Sequence, residues 1–593
     1  MSKLVNYPVA LPTASLPEDT DPVSVARDFT PRLYNLASQH FIPDALWRDL
    51  FALTGTLRTF HNASSVSSTW AETTKTRKVH SFVSDPEEAR VVRLPQGSAW
   101  VEARYSFECG ERPETRCTAI LNLVRDQGDG EWKIWVLRTV LEGLKGMPDV
   151  EFLEPEKVRD EGKLSNGVNG HGEEEEFECV VIGGGLAGLS TGGRLKALGV
   201  RYLVLDKNER VGDNWKLRYA SARLHTNREY GHLPFDRTFG PEYEEYLSKD
   251  DLAKGYTEWV KKFNINIWQG TSVESGTWDE SRQLWTLNLR QGEDECSITT
   301  SFVVLAGGAG GQVPIFPPPY QDEEVFEGTT MHSAEYTEPS KWKGKHGVVV
   351  GTANTAHDVA ADMVDTELAS VTIIQRSRTY VLPAEHYFKI VTLNYNAQKP
   401  THEADRGTLT SPFAVAELMS CATLSAMASK EPERFDALER VGFKVERYGN
   451  IQDHIVNRLG GHYMDVGASK KIAEGLIKVK SDALPVRYVK DGLVFSDGTH
   501  LKADLIVFAT GFVGNMRRQV DQIFGTKVGD QVGDFWGLDE EGEIKGAFKP
   551  VGHPAIWLHG GTIGQGRYYS RFIALQIKAR LLRTALPLYE KTP

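Results

Sequence analysis

The sequence is poor in cysteine and has no surplus of positive charge. Its five cysteines, Cys109, Cys117, Cys179, Cys296 and Cys421, are scattered over 593 residues, and no Cys-x-x-Cys occurs. That excludes a disulfide framework, a zinc site built on paired cysteines and the redox-active pair of a dithiol reductase. No metal site is expected, and a reducing compartment fits. The formal net charge of -12 argues against non-specific binding to nucleic acid or acidic lipid, whose phosphates would be repelled. No run of about 18 uninterrupted apolar residues exists, so no membrane span is expected. The first 25 residues lack a basic stretch followed by an apolar one, so no secretory signal is expected and the expected location is cytoplasmic. With 40% hydrophobic and 25% charged residues the chain has ordinary globular composition, and at this length two to four domains are expected.

The clearest boundary is the run EPEKVRDEGKLSNGVNGHGEEEE from Glu154 to Glu176, which holds no aromatic residue and few apolar ones. It cannot bury enough apolar surface to order itself and reads as a flexible linker, 154–176. Ahead of it, residues 22–60 carry apolar residues at helical spacing. Residues 96–142 alternate apolar and polar residues in short runs parted by turns such as Gly128-Asp129-Gly130, an antiparallel strand pattern. Helices followed by a sheet make residues 1–153 a small α+β domain that resembles the NTF2-like domains. Such domains serve as enzymes, ligand pockets and dimer interfaces alike, so the likeness names no activity and leaves a homodimer open.

After the linker, short apolar runs alternate with helical stretches, as in βαβ units. FECVVIGGGLAGLSTGGRLKALGVRYLVLD, residues 177–206, gives a strand, Gly183-x-Gly185-x-x-Gly188, a helix, a second strand and Asp206. Gly183 allows the tight turn, Gly185 lets the backbone approach a pyrophosphate, and Gly188 lets helix and strand pack closely. The first helical residues, Leu186 and Ala187, offer free N–H groups and a positive dipole end. Asp206, followed by Lys207, stands where a carboxylate accepts hydrogen bonds from ribose hydroxyls.

A second unit follows at 346–377. Val348–Val350 is a buried strand, Gly351 opens the turn, and Thr352, Asn354 and Thr355 lead into a helix. Ala353 and Ala356 hold the later glycine positions, and Ala353 brings a methyl group near the pyrophosphate. Where the first unit has Asp206, this strand runs into Gln375-Arg376-Ser377. Arg376 makes charge-assisted bonds to a 2′-phosphate and Ser377 adds a donor, so this unit should prefer NADPH over NADH.

Between and after the two units lie three further motifs. Phe326-x-Gly328-x-x-x-His332-x-x-x-Tyr336 matches F-x-G-x-x-x-H-x-x-x-Y, and DLIVFATGF ends in Ala509-Thr510-Gly511. Gly212-Asp213-Asn214-Trp215 follows the first fingerprint. In these motifs the chain resembles the flavin-containing monooxygenases, class B flavoprotein monooxygenases, over about residues 177–593. The resemblance implies an α/β fold with two doubly wound, Rossmann-type domains: FAD bound by 177–337 and 496–593, with Asn214 and Trp215 beside it, and NADPH bound by an inserted domain, 338–495. It gives His332 a place linking the cofactor sites. It puts Asn227, in the run ARLHTNREYGHLPF, near the flavin C4a adduct, as an amide that donates without supplying a reactive proton. Tyr336 resembles the heteroatom-oxygenating and auxin-forming members more than the Baeyer–Villiger ones. Near the C-terminus Gln565, in GQGRYY, opens a helix that would face the flavin.

The expected reaction is NADPH-dependent oxygenation of a small molecule by O2 through a flavin C4a-hydroperoxide, at nitrogen or sulfur. Three alternatives stay open. One is carbonyl chemistry, either Baeyer–Villiger insertion or oxidative decarboxylation of a 2-oxo acid such as indole-3-pyruvate. The others are an NADPH oxidase and a non-catalytic binding protein. No motif accounts for the segment 385–470, which holds His386, Phe413, Met419 and His454.

Overall fold

The computed structural model describes residues 9–13, 15–94, 97–156, 175–308 and 313–592. Most of the expected linker, and Ala309 to Gly311 of the first crossover, lie outside the described residues.

The leading domain holds α1 (Pro22–Phe29), β1 (Phe41–Leu50), β2 (Leu57–His61), α2 (Ala63–Thr76), β3 (Val79–Arg93), β4 (Ala99–Cys109), β5 (Thr115–Arg125) and β6 (Trp132–Leu144). The strands form one sheet in the order β2-β1-β6-β5-β4-β3, with β4, β5 and β6 antiparallel as their alternation predicts. The helical reading of 22–60 is corrected. Asp21 caps α1 through the Val23 N–H, with Pro22 at the first position, but the helix ends at Phe29 and 41–61 is two strands. β1 lies between β2 and β6 with Ala45, Leu46, Trp47 and Leu50 all buried. A strand buried on both faces shows no alternation, which is why its apolar spacing imitates a helix.

The second body contains β7 (Glu175–Ile182), α3 (Leu186–Ala197), β8 (Tyr202–Leu205), α4 (Asp213–Lys216), α5 (Lys249–Lys262), β9 (Ile267–Trp268), β10 (Thr271–Asp279), β11 (Leu284–Gln291) and β12 (Asp294–Leu305). Its sheet runs β10-β11-β12-β7-β8-β9, with β7 parallel to both β12 and β8. The third body contains β13 (Thr329–His332), β14 (His346–Val350), α6 (Asn354–Asp365) and β15 (Ser370–Ile374). A helical stretch follows: β16 (Thr379–Pro383), α7 (Ala384–Val391), α8 (Thr401–Leu409), α9 (Phe413–Ala428), α10 (Pro432–Arg440), β17 (Val445–Glu446), α11 (Ile451–Val456), β18 (His462–Asp465) and α12 (Ala468–Ala473). The chain then forms β19 (Ile477–Lys480), β20 (Pro485–Val489), β21 (Gly492–Phe495), β22 (His500–Lys502) and β23 (Leu505–Phe508). It ends with α13 (Arg517–Phe524), α14 (Thr526–Gly529), β24 (Ile556–Leu558) and α15 (Ile563–Leu581).

The third body's parallel sheet is β13-β23-β14-β15-β19. Strands 329–332 and 505–508 therefore belong to the second nucleotide sheet, outside the limits of 338 and 495 expected for it. Their registers, β13 against β23 and β23 against β14, are revealed only by the folded sheet. β24 returns to the first sheet beside β12. No single helix among the described residues is long and apolar enough to cross a membrane; α8 and α9 pass that test only as a pair bent by 97°.

α15 is buried over almost its whole length and joins the bodies. Against α3, Arg194 donates to Ser570 Oγ at 2.9 Å; against the leading domain, Phe572 stacks on Phe51 with centroids 5.0 Å apart. Buried charge crosses the same seam. Arg48 pairs with Glu543 at 2.7 Å, and Glu142 pairs with Arg571 at 2.5 Å and Arg406 at 2.8 Å. α9 continues the seam: its Ala414 and Val415 pack on Leu46, Trp100 and Val136. The C-terminal residues lie across the leading domain: the Tyr589 N–H donates to the Thr54 carbonyl at 2.9 Å, and Arg58 donates to the Tyr589 and Lys591 carbonyls.

Burial pushes the Glu142 carboxyl up, but Arg406 and Arg571 outweigh it and hold it at about 2. Glu151, buried between Arg194 and Arg571, is likewise held at about 2. A carboxylate depressed in the folded state stabilises it fully above the ordinary value of about 4.3 and loses that contribution as pH falls towards 2. The melting temperature should therefore fall steeply between those limits, and less steeply in Glu142→Gln. Parallel curves for the two proteins would refute the assignment.

Candidate functional site

In the first unit the chain leaves β7 at Gly183, whose φ of 115° only glycine adopts easily. A methyl group on Gly188 would overlap the Gly183 carbonyl oxygen, so α3 and β7 lie as close as backbone permits. Gly185 differs: a Cβ built there meets only Asn214 Nδ2, at 3.6 Å. No side chain caps α3, so the first N–H groups at Leu186 and Ala187 face a cradle of backbone. Asp206 is buried at the end of β8 and accepts the Asn208 N–H at 3.0 Å. Burial pushes its carboxyl up, and a hydroxyl donor would relieve it. Lys207 is exposed, and Trp215 is half-buried beneath the Arg218 guanidinium. This geometry fits the pyrophosphate and ribose of a dinucleotide.

The second unit repeats it. Ala353 takes the backbone of Gly185, with φ -89° and ψ -173° against -77° and -173°, and α6 has no side-chain cap. Two polar residues near the turn are engaged within the protein: Asn354 Oδ1 accepts the Met464 N–H at 2.7 Å, and Thr352 accepts the Thr379 hydroxyl at 2.6 Å. At the end of β15, Arg376 and Ser377 are exposed, and the Arg376 guanidinium meets no acid among the described residues. It is free for an anion, as its place in the sequence suggests.

The two crossovers, the segments that follow β12 and β23, pair with one another. Ile315 N–H donates to Gly511 O at 2.9 Å, Val513 N–H to Val313 O at 2.9 Å, and the Thr510 hydroxyl to Ile315 O. Ala509 packs on Gly351. His332 is buried at the end of β13, its ring 5.3 Å from Phe316 and 5.1 Å from Phe512. Its Nδ1 accepts the Ala334 N–H at 3.2 Å, and burial lowers its pKa, so the ring is neutral. Tyr336 is buried with Tyr219, whose hydroxyl bonds Asp358 of α6 at 2.7 Å and ties the two units together.

Two expected site residues have their polar groups occupied. Asn227 is fully buried; its Oδ1 accepts the Tyr230 N–H at 3.1 Å and its Nδ2 donates to Tyr395 O at 2.9 Å, leaving one N–H for anything else. Gln565 forms a capping box with Thr562, accepting its N–H at 2.9 Å and donating back at 3.3 Å, while the Gly564 N–H goes to the Tyr230 hydroxyl. The first turn of α15 is thus capped by the protein through the Gln565 Oε1, for which Thr-x-x-Gln is the sequence signal. Sequence reasoning missed Tyr395, Asp405 and Arg567. An arginine inside a buried helix was the available signal for the last of these.

Residues 180–392 match a family model described as pyridine nucleotide-disulphide oxidoreductase. A probable indole-3-pyruvate monooxygenase, YUCCA3 of Arabidopsis thaliana, is 26% identical over 347 residues, 57% of this chain and 73% of that protein. The FAD-containing monooxygenase EthA of Mycolicibacterium smegmatis is 25% identical over 373 residues, 59% of this chain and 71% of its own. Over that span the chain is similar to flavin monooxygenases. A cyclohexanone monooxygenase crystal structure, bound to epsilon-caprolactone in the Loose conformation, shares the fold with TM-score 0.50 and 18% identity, covering 69% of this chain and 88% of that one. The likeness supports an oxidoreductase that uses FAD and NADPH. It has no Cys-x-x-Cys, so the disulphide in the matching family's description has no counterpart here.

Proposed function

We propose that the first unit seats FAD and the second NADPH, and that the enzyme adds one oxygen atom of O2 to a nucleophilic nitrogen or sulfur of a small molecule. The observation that carries the assignment of seats is a contrast between two like cradles. Both are uncapped helix ends behind a glycine turn, but one strand ends in the buried carboxylate of Asp206 and the other in the free guanidinium of Arg376. The cofactors supply the hydride and oxygen chemistry. The protein's residues bind, orient and exclude water. Leu186 and Ala187 present N–H groups to phosphate, and Asp206 takes ribose hydroxyls. Arg376 and Ser377 take the 2′-phosphate. Neutral His332, set between two phenylalanine rings, seals the paired crossovers and transfers no proton. Asn227 holds the 227–232 turn and keeps one N–H for the reacting site.

Charge around that turn favours a neutral or basic nucleophile over a 2-oxo acid. Arg228 and Arg237 both pair with Glu229, and Arg567 pairs with Asp405. Among the described residues of the turn no guanidinium is left for a substrate carboxylate. With NADPH and labelled dioxygen, a tertiary amine or a sulfide should gain one labelled oxygen. Decarboxylation of a 2-oxo acid under the same conditions, with neither of those products, would overturn this reading. Arg376→Ala should raise KM for NADPH by roughly ten- to a hundredfold, the loss of a charge-assisted phosphate contact, and leave KM for NADH unchanged. Equal effects on both nucleotides would refute the role given to Arg376.

A further inference from the structure

Four charged side chains of the leading sheet reach a single short helix of the third body. Arg48 of β1 donates to the Leu409 and Ser411 carbonyls at 2.8 and 2.9 Å. Arg104 of β4 pairs with Glu403 at 3.0 Å, Arg138 of β6 donates to Thr410 Oγ1 at 3.4 Å, and Glu142 of β6 pairs with Arg406. The helix they hold is α8. From its other side Asp405, 1% exposed, accepts two hydrogen bonds from Arg567 of α15, both at 2.7 Å, and one from the Tyr395 hydroxyl at 2.8 Å. Each of these partners ends on the turn assigned to the flavin. Arg567 donates to the Tyr230 and His232 carbonyls at 2.7 and 2.5 Å, and the Tyr395 carbonyl accepts Asn227 Nδ2.

We infer that Asp405 is a positioning residue: held by the leading domain through α8, it fixes the 227–232 turn and so sets the place of Asn227 in the reacting site. The inference rests on the reading of that turn given under the proposed function. A buried ion pair is a poor device for stability alone, because an apolar pair of the same volume does as well. It is a good device for direction. A bidentate arginine on a carboxylate has one orientation, and here the remaining guanidinium N–H groups carry that orientation to two backbone carbonyls. On this account the leading domain is part of the oxygenase site's frame, and α8 is the member through which it acts.

The test uses the full FAD-loaded chain and two variants. Asp405→Asn keeps the shape and removes the charge. Tyr395→Phe removes one hydrogen bond while keeping the carbonyl on Asn227 and the ring against Tyr230, and it serves if the first variant does not fold. Amide hydrogen exchange is measured over peptides covering the whole chain, together with the visible circular dichroism of the bound flavin. Exchange at 224–233 should quicken roughly tenfold or more in Asp405→Asn, and less in Tyr395→Phe, with β7 and α3 unchanged. The flavin dichroism should change at full flavin content. Unchanged exchange at 224–233, or an equal increase along the whole chain, would overturn the inference. Local quickening with unaltered dichroism overturns the positioning role and leaves only a brace. A parent chain that takes up no flavin defeats the proposed function, while exchange alone still decides whether Asp405 holds the turn.

Discussion

Gly185→Val should fold as the parent does and come off the column colourless. Its backbone, φ -77° and ψ -173°, is extended and suits a β-branched residue. A Cβ there meets only Asn214 Nδ2 at 3.6 Å, so the empty protein has room for it. What the side chain fills is the space in front of the uncapped end of α3. If a pyrophosphate lies there, it must withdraw from the backbone N–H groups. Losing two such charge-assisted hydrogen bonds amounts to about 3 kcal/mol, on the order of a hundredfold or more in affinity. Gly188→Ala is the contrasting variant. Its methyl group would overlap the Gly183 carbonyl, so the fold of the unit should fail with or without cofactor. Flavin titration followed by fluorescence, with the melting temperature of the apoprotein beside it, separates the two. If Gly185→Val binds FAD as tightly as the parent, the first unit is not the flavin seat.

Glu543→Ala should destabilise the protein by about 3–5 kcal/mol, the usual result of leaving a buried charge without its partner. Glu543 is fully buried and accepts Arg48 Nε and Nη2, each at 2.7 Å, and the Thr59 hydroxyl at 2.6 Å. Arg48, 2% exposed, stays protonated: burial lowers its pKa, but Glu543 and Tyr569 more than offset this. The double variant Arg48→Met/Glu543→Leu removes both charges and should recover at least half of the loss. Chemical denaturation of the three proteins measures this. A single variant within about 1 kcal/mol of the parent would mean that water or Tyr569 and the α8 carbonyls hold the guanidinium unaided.

The parts of the fold legible in the sequence are those governed by local rules. The two strand–glycine–helix–strand units and the antiparallel β4, β5 and β6 rest on period, turn residues and glycine sterics, all local. β1 was misread because burial on both faces erases the period of two. The second unit's limits were misplaced because strands 329–332 and 505–508 choose their sheet by long-range register. In the site, the positive φ of Gly183 and the close packing at Gly188 follow from their spacing, while the ligands of Asp206 and Arg376 belong to the proposed function. The Gln565 cap has a local signal in Thr-x-x-Gln, whereas Asn227 carries a hydrogen bond that spacing could not predict, because its partner is the backbone of Tyr395. Asp405 was invisible for the same reason: 162 residues separate it from Arg567.

The C-terminal strap also sets an order of events in biosynthesis. The leading domain leaves the ribosome ahead of the elements that complete its surface: α8, α15 and finally Tyr589 and Lys591 lying across Thr54 and Arg58. More than 400 residues of translation separate β6 from that strap, on the order of half a minute at ordinary elongation rates. For that interval Arg48 and Glu142 lack the Glu543, Arg406 and Arg571 that pair with them in the finished fold. The leading domain is therefore finished only when the last residues of this chain arrive.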